Sequence, residues 1–285
     1  MNERPQGALF AALRELGYAI ETPNGRLPAV IGGRGPRPGA RCRIRIDDSS
    51  QFASALLLAA GRGGWQVTVE GDNAEEAPYI QLTSEVISAF PSDGGTFQVE
   101  PDASSASYIW GAGWILSKCP ATRSSKIRVA NWEEGSSQID ARFPGIMEAF
   151  PSRISRERDL GDSIMTAIVL APFADAPKTF TDLGKLRLQE CERVQALQTE
   201  LRKCGAVIVE EGDSLQLAPG RLHGADIDTY GDHRMAMCFA LLGLVVPGIR
   251  IRNPVVVRKT FPDFFEKLSQ LPPHGLGVRV RAEPS

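Results

Sequence analysis

One short pattern, met four times at intervals of roughly 55 to 70 residues, constrains this chain more than any other feature of it. Each instance opens on Asp with small polar residues and runs on into a helix-forming stretch. The four are Asp48-Ser-Ser-Gln-Phe-Ala-Ser-Ala-Leu, Asp102-Ala-Ser-Ser-Ala-Ser-Tyr-Ile, Asp162-Ser-Ile-Met-Thr-Ala-Ile-Val and Asp232-His-Arg-Met-Ala-Met-Cys-Phe. Asp or Ser at such a position accepts the unpaired N–H groups of a first helical turn, and the Ala, Leu, Met and Ile behind it favour the helix. Capping alone accounts for the likeness among the four. Their repetition predicts a chain assembled from copies of one local unit.

Between these runs lie β-rich stretches: Trp65-Gln-Val-Thr-Val-Glu, Lys126-Ile-Arg-Val-Ala, Ala206-Val-Ile-Val-Glu and Val245 to Ile251, each flanked by Gly, Pro, Asp or Asn. Amphipathic helices are predicted over residues 5–17, 78–90, 186–204 and 260–271. In the third, Leu186, Val194, Leu197 and Leu201 recur at helical spacing. Alternation of strand and helix predicts an α/β fold of repeated units, with helices inside or beside small sheets. A boundary near Val99 to Pro101, where a strand-like stretch ends and the second repeat helix begins, predicts domains of residues 1–100 and 101–285.

Composition excludes several classes. With 285 residues, 42% of them hydrophobic, the chain can build two cores. Lys plus Arg total 32 against 34 Asp plus Glu, which argues against a nucleic-acid partner held by bulk charge. Any anion must therefore be held locally. No run of 18 apolar residues occurs and the start MNERPQG has no apolar stretch, so a cytoplasmic protein without a membrane partner is expected. The five cysteines are scattered without CxxC spacing, and the three histidines lack ligand spacing. Neither a disulfide framework nor a metal centre is expected.

Several helix starts aimed at one cleft would hold an anion through their free N–H groups and partial positive charge. Ser49, Ser50 and Gln51 stand at such a start, though they equally suit an ordinary capping turn. Arg4, Arg193, Arg234 and Lys259 adjoin similar turns; Arg matches phosphate or carboxylate oxygens bidentately, and Lys supplies a point charge. Taken singly, each also suits a solvated surface, and His233 a structural place. Asp162 and Glu190 are candidate proton carriers, because like charge from bound anions raises a carboxylate's pKa. A helix cap is the plainer role for Asp162 and an exposed helix face for Glu190.

These turns, in this order, resemble the signature segments of the EPSP synthase family of enolpyruvyl transferases. The segments are Glu3-Arg4-Pro5, Ser49-Ser50-Gln51-Phe52, Pro78-Tyr79-Ile80, Asp102-Ala103-Ser104-Ser105-Ala106-Ser107-Tyr108, Asp232-His233-Arg234-Met235-Ala236 and Lys259-Thr260-Phe261-Pro262-Asp263. The resemblance implies two domains of repeated βαβαββ units, an inside-out α/β barrel with substrates in the cleft where helix starts converge. It begins inside the family's pattern, so the first domain is expected to be incomplete. The implied reaction transfers the enolpyruvyl group of phosphoenolpyruvate to the 5-hydroxyl of shikimate 3-phosphate, releasing phosphate, through a tetrahedral intermediate and without a cofactor.

Carried over by position, Arg4, Gln51, Arg193, Arg234 and Lys259 would hold phosphoenolpyruvate. Ser49, Ser50, Gln51, Tyr79 and Asp162 would hold shikimate 3-phosphate. Asp162 would take the proton of the 5-hydroxyl, and Glu190 would serve proton transfer at the enol methylene. The chain departs from the family at three places: Gln189 stands for a lysine, Lys185 for an asparagine, and Glu76 for a serine three residues before Tyr79. An inward Glu76 would repel a phosphate. The family's early Lys-Ser pair with its nearby Arg, and its Asn-Ser-Gly-Thr turn, would lie before Met1, so a separate N-terminal fragment is an expected partner. The alternative is a non-catalytic, decayed relative that keeps the fold.

Overall fold

The computed structural model describes residues 5–47, 49–73, 76–91, 93–119, 127–132, 135–270 and 275–280. The chain divides into two compact units, Met1–Val99 and Glu100–Ser285. No helix among the described residues is long and apolar enough to cross a membrane.

The first unit opens with α1 (Gly7–Glu15) and an antiparallel pair, β1 (Ala19–Glu21) with β2 (Val30–Gly32). β3 (Arg41–Arg45) follows, then α2 (Gln51–Gly63), β4 (Gln66–Glu70) and α3 (Ala77–Ala89). β3 and β4 pair in parallel, Arg41 beside Gln66 and Arg45 beside Glu70, so α2 is the crossover that a parallel pair requires. Along β3 the side chains alternate, with Cys42 and Ile44 inside and Arg41, Arg43 and Arg45 outside, as expected of a strand with one face on a core. Cys42, Ile44 and Ile46 meet Ala12 and Leu16 from the α1 end and Ala53 and Leu56 of α2. Helix α2 stops at Gly64 because the chain turns left-handed there (φ 68°), and a Cβ at that point would lie 2.8 Å from the Cα of Pro38.

The second unit begins with α4 (Ala103–Ser117). A 3-10 turn (Ile139–Arg142) then runs into α5 (Phe143–Ala149), followed by β5 (Arg153–Ser155), α6 (Ile164–Leu170) and β6 (Lys178–Thr181). Another 3-10 turn (Gly184–Leu188) leads to α7 (Arg193–Lys203), β7 (Val207–Glu211), β8 (Ser214–Ala218), β9 (Asp226–Ile227), α8 (His233–Leu242) and β10 (Arg250–Ile251). The 3-10 segment Pro254–Lys259 and α9 (Phe264–Ser269) follow. The sheet order is β5-β6-β8-β7, parallel only between β5 and β6, while β9 and β10 form a separate parallel pair. Helices α6 and α8 each link a parallel pair; every residue of α6 is buried, and every residue of α8 except Arg234, as apolar helices require. Each Leu or Ile so buried contributes roughly 1.5–3 kcal/mol. Gly111 of α4 permits the close approach of these helices: a Cβ there would sit 2.9 Å from Thr166 Cγ2 and 3.1 Å from Leu170 and Leu241.

Several expectations need correction. Ile127 to Ala130 form no strand, and Lys126 lies outside the described residues. Of Val245 to Ile251 only Arg250–Ile251 is a strand, because Pro247 has no N–H to give and Gly248 turns left-handed at φ 87°. The single helix expected over 186–204 is broken. Gln189 leaves helical geometry, and α7 restarts behind Glu192, whose carboxylate accepts the N–H of Gln195. The caps also divide. Asp102 accepts the N–H groups of Ser104 and Ser105, and Asp232 accepts that of Arg234. Asp48 lies outside the described residues. Asp162 is no cap: the first-turn donors of Ile164, Met165 and Thr166 bond backbone carbonyls three residues back, leaving its side chain free to turn elsewhere.

Candidate active site

The second unit gathers five of the predicted site residues where α6, α7, α8 and the Pro254–Lys259 turn begin or end. Asp162, just before α6, takes Arg156 Nη2 at 3.0 Å on one oxygen and Arg234 Nη2 at 3.1 Å on the other, with Arg193 Nη1 at 3.8 Å and Gln189 Nε2 at 3.4 Å. Arg193, first residue of α7 and only 1% exposed, donates through Nε to Asp232 at 2.6 Å and through Nη2 to Glu190 at 2.6 Å. Its remaining nitrogen donates to Gln189 Oε1, and Lys259 closes the ring by pairing with Glu190. Arg234 also reaches the hydroxyl of Tyr108 on α4 at 3.5 Å.

The charges are set by this geometry. Burial by itself would raise the Asp162 pKa, but Arg234, Arg156 and Arg193 outweigh it and hold the carboxyl well below the usual range. Glu190 behaves likewise: burial opposes its charge, and Lys259 with Arg193 brings it down to about 2. Burial first, and Arg234 second, lower His233 to about 4, so its buried ring is neutral at pH 7. Cys191, 3.6 Å from Asp232, is pushed up to about 12 by burial and by that carboxylate. Each cation here thus faces an internal carboxylate, Asp162 serving Arg156 and Arg234 and Glu190 serving Arg193 and Lys259. A ligand with two anionic ends could exchange with those carboxylates for the same guanidinium and ammonium donors.

Ser49 and Ser50 precede α2 and Gln51 begins it; Ser49 Oγ accepts the N–H of Gln51 at 3.2 Å. Tyr79, in the first turn of α3, is 39% exposed. Glu76 does point inward: it is buried, and its carboxylate accepts the Ser50 N–H at 2.5 Å, the place at a helix start that suits an anion. Arg4 lies outside the described residues. Sequence reasoning missed Arg156, Asp140, Tyr108 and the pairing role of Asp232. Only Asp232 and Tyr108 sat in motifs that could have signalled them.

Solved structures match this fold. An EPSP synthase from Acinetobacter baumannii superposes with a TM-score of 0.62 at 20% identity, covering 93% of this chain and 70% of that one. The enolpyruvyl transferase NikO from Streptomyces tendae gives 0.58 at 15% identity, covering 93% and 71%. The chain therefore has the α/β fold of the enolpyruvyl transferases. The family model for EPSP synthase (3-phosphoshikimate 1-carboxyvinyltransferase) matches residues 1–93 and 91–268, and the chain belongs to that family. Proteins named 3-phosphoshikimate 1-carboxyvinyltransferase from Pseudomonas savastanoi pv. phaseolicola and Laribacter hongkongensis are similar to it. They are 35% and 36% identical, covering 99% and 95% of this chain and 71% and 72% of their own lengths.

Proposed function

We propose that the chain acts as a 3-phosphoshikimate 1-carboxyvinyltransferase, moving the enolpyruvyl group of phosphoenolpyruvate onto the 5-hydroxyl of shikimate 3-phosphate with release of phosphate. The observation that carries this reading is the ring of Arg193, Arg234 and Lys259 about two ionised carboxylates, Asp162 and Glu190. Phosphoenolpyruvate brings a carboxylate and a phosphate, which suit those three cations; Arg4 and Gln51 belong to the same binding set. Ser49, Ser50, Gln51 and Tyr79 bind the acceptor, and Asp162 reaches its 5-hydroxyl.

Substrate binding then changes the carboxylates. Once ligand anions draw off Arg193, Arg234 and Lys259, Asp162 and Glu190 lose the charge that depressed them, and their pKa values rise toward the range useful for proton transfer. Asp162 takes the hydroxyl proton as the 5-oxygen adds to C2, and Glu190 delivers a proton to the methylene C3. Glu190 takes that C3 proton back as the C2–O bond to phosphate breaks. The protein acts in the cytoplasm.

Phosphate release from the two substrates by the purified chain, with and without a separately expressed N-terminal segment of a longer relative, tests this. Release requiring both substrates, in either tube, is expected. Folded protein that neither releases phosphate nor binds phosphoenolpyruvate by calorimetry establishes the alternative of a non-catalytic relative. The inward carboxylate of Glu76 favours that second reading.

A further inference from the structure

Asp140 lies in the 3-10 turn before α5, 4% exposed, and takes no part in the chemistry proposed above. One of its oxygens accepts three hydrogen bonds: from the N–H of Gly161 at 2.8 Å, the N–H of Ser163 at 3.1 Å and the hydroxyl of Ser163 at 2.5 Å. Its other oxygen accepts the hydroxyl of Ser104 on α4. The residues on both sides of Asp162 are therefore tied to a single carboxylate oxygen. Gly161 makes the approach possible, since a Cβ there would lie 3.0 Å from Ile139 and 3.2 Å from Asp140 Oδ1.

The ties close a circuit. Ser104 and Tyr108 stand one turn apart on α4. Ser104 holds Asp140, Asp140 holds residues 161 and 163, Asp162 between them meets Arg234, and Arg234 returns to Tyr108. The N-cap position of α6 falls to Ser163, and the first-turn donors behind it bond backbone carbonyls, so the helix start makes no claim on the Asp162 side chain.

We propose that Asp140 is a positioning residue: by clamping Gly161 and Ser163 it aims the Asp162 carboxylate at Arg156, Arg193 and Arg234. Its effect on turnover rests on the reading of Asp162 given above, but the aim itself does not. The groups facing Asp162 are Arg156 after β5, Gln189 and Arg193 at the start of α7, Arg234 on α8, and, through charge, Tyr108 on α4. Asp140 is itself raised, by burial foremost, with Ser104 and Ser163 opposing and Asp162 adding to the rise.

The test is titration of the Asp162 carboxyl carbon by NMR in the full chain, labelled with 13C-aspartate, the signal assigned by its loss in Asp162→Asn. In Asp140→Ala the Asp162 signal is expected to titrate near the ordinary aspartate value of ~3.9. Asp140→Asn, whose side-chain oxygen still accepts from Gly161 and Ser163, should leave it low. If Asp140→Ala does not fold, Ser163→Ala removes one donor of the clamp and should move Asp162 the same way by less. An Asp162 that stays equally low in Asp140→Ala, or in Ser163→Ala where only that variant folds, overturns the proposal. Where turnover is measurable, Asp140→Ala should cost nothing further in an Asp162→Ala background, and an additive loss overturns it as well. Absence of turnover with the predicted titration would fail only the catalytic reading.

Discussion

Glu190 and His233 titrate well below their ordinary ranges, and both tie stability to pH with the same sign. Glu190 falls from 4.5 to about 2 through Lys259 and Arg193 against its burial, so its contribution is complete above pH 4.5 and fades as pH drops toward 2. His233, lowered from 6.5 to about 4 by burial and then by Arg234, binds a proton more readily when unfolded; its cost enters between pH 6.5 and 4. Thermal unfolding followed across that range should show the melting temperature declining in two stages. His233→Gln should flatten the upper stage and Glu190→Gln the lower. Arg234→Ala should weaken phosphoenolpyruvate binding by about 2 kcal/mol or more, roughly thirtyfold, since it truncates one side of a desolvated charge pair. Calorimetric titration measures it, and an unchanged affinity would remove Arg234 from the site. At this scale the sequence carried the cations and Glu190 through motif resemblance. It could not carry Arg156 or Asp140, which reach Asp162 only through the packing of separate elements.

Gly111 sets how closely α4, α6 and α8 approach, and no periodicity marks such a position. Gly111→Ala adds a carbon 2.9 Å from Thr166 and should cost about 1–3 kcal/mol in denaturant unfolding through overpacking. A helix start is decided locally, which is why Asp102 and Asp232 were legible as caps while Asp162, whose donors went to backbone carbonyls, was not. The stretch 245–251 reads as a strand by composition, but Pro247 and Gly248 override that preference. At the start of α2, Glu76 stands where a phosphate would be drawn. Glu76→Ser removes that rival charge and should tighten shikimate 3-phosphate, on the order of tenfold by the scale of a removed like-charge contact. Weaker binding in this variant would mean that Glu76 orders the α2 start rather than competing for it.

Each of the two units encloses its own core, one around Ile44 and Leu56, the other around α6 and α8. Calorimetry should therefore resolve two unfolding steps, and Leu56→Ala, a cavity worth about 2–5 kcal/mol, should shift one of them alone. Movement of both together would show a single cooperative body. The alternation of strand and helix made the α/β class legible, whereas the balance of charge inside the second unit was hidden in a nearly neutral composition. That balance has a further consequence. Because Asp162, Glu190 and Asp232 already serve as counter-ions to the cationic ring, a newcomer must replace them rather than fill a vacancy. A molecule with a single negative charge displaces one carboxylate while the other two keep their cations, so the ring sorts visitors by valence before shape is consulted, and useful inhibitors will be those that carry two anions at once.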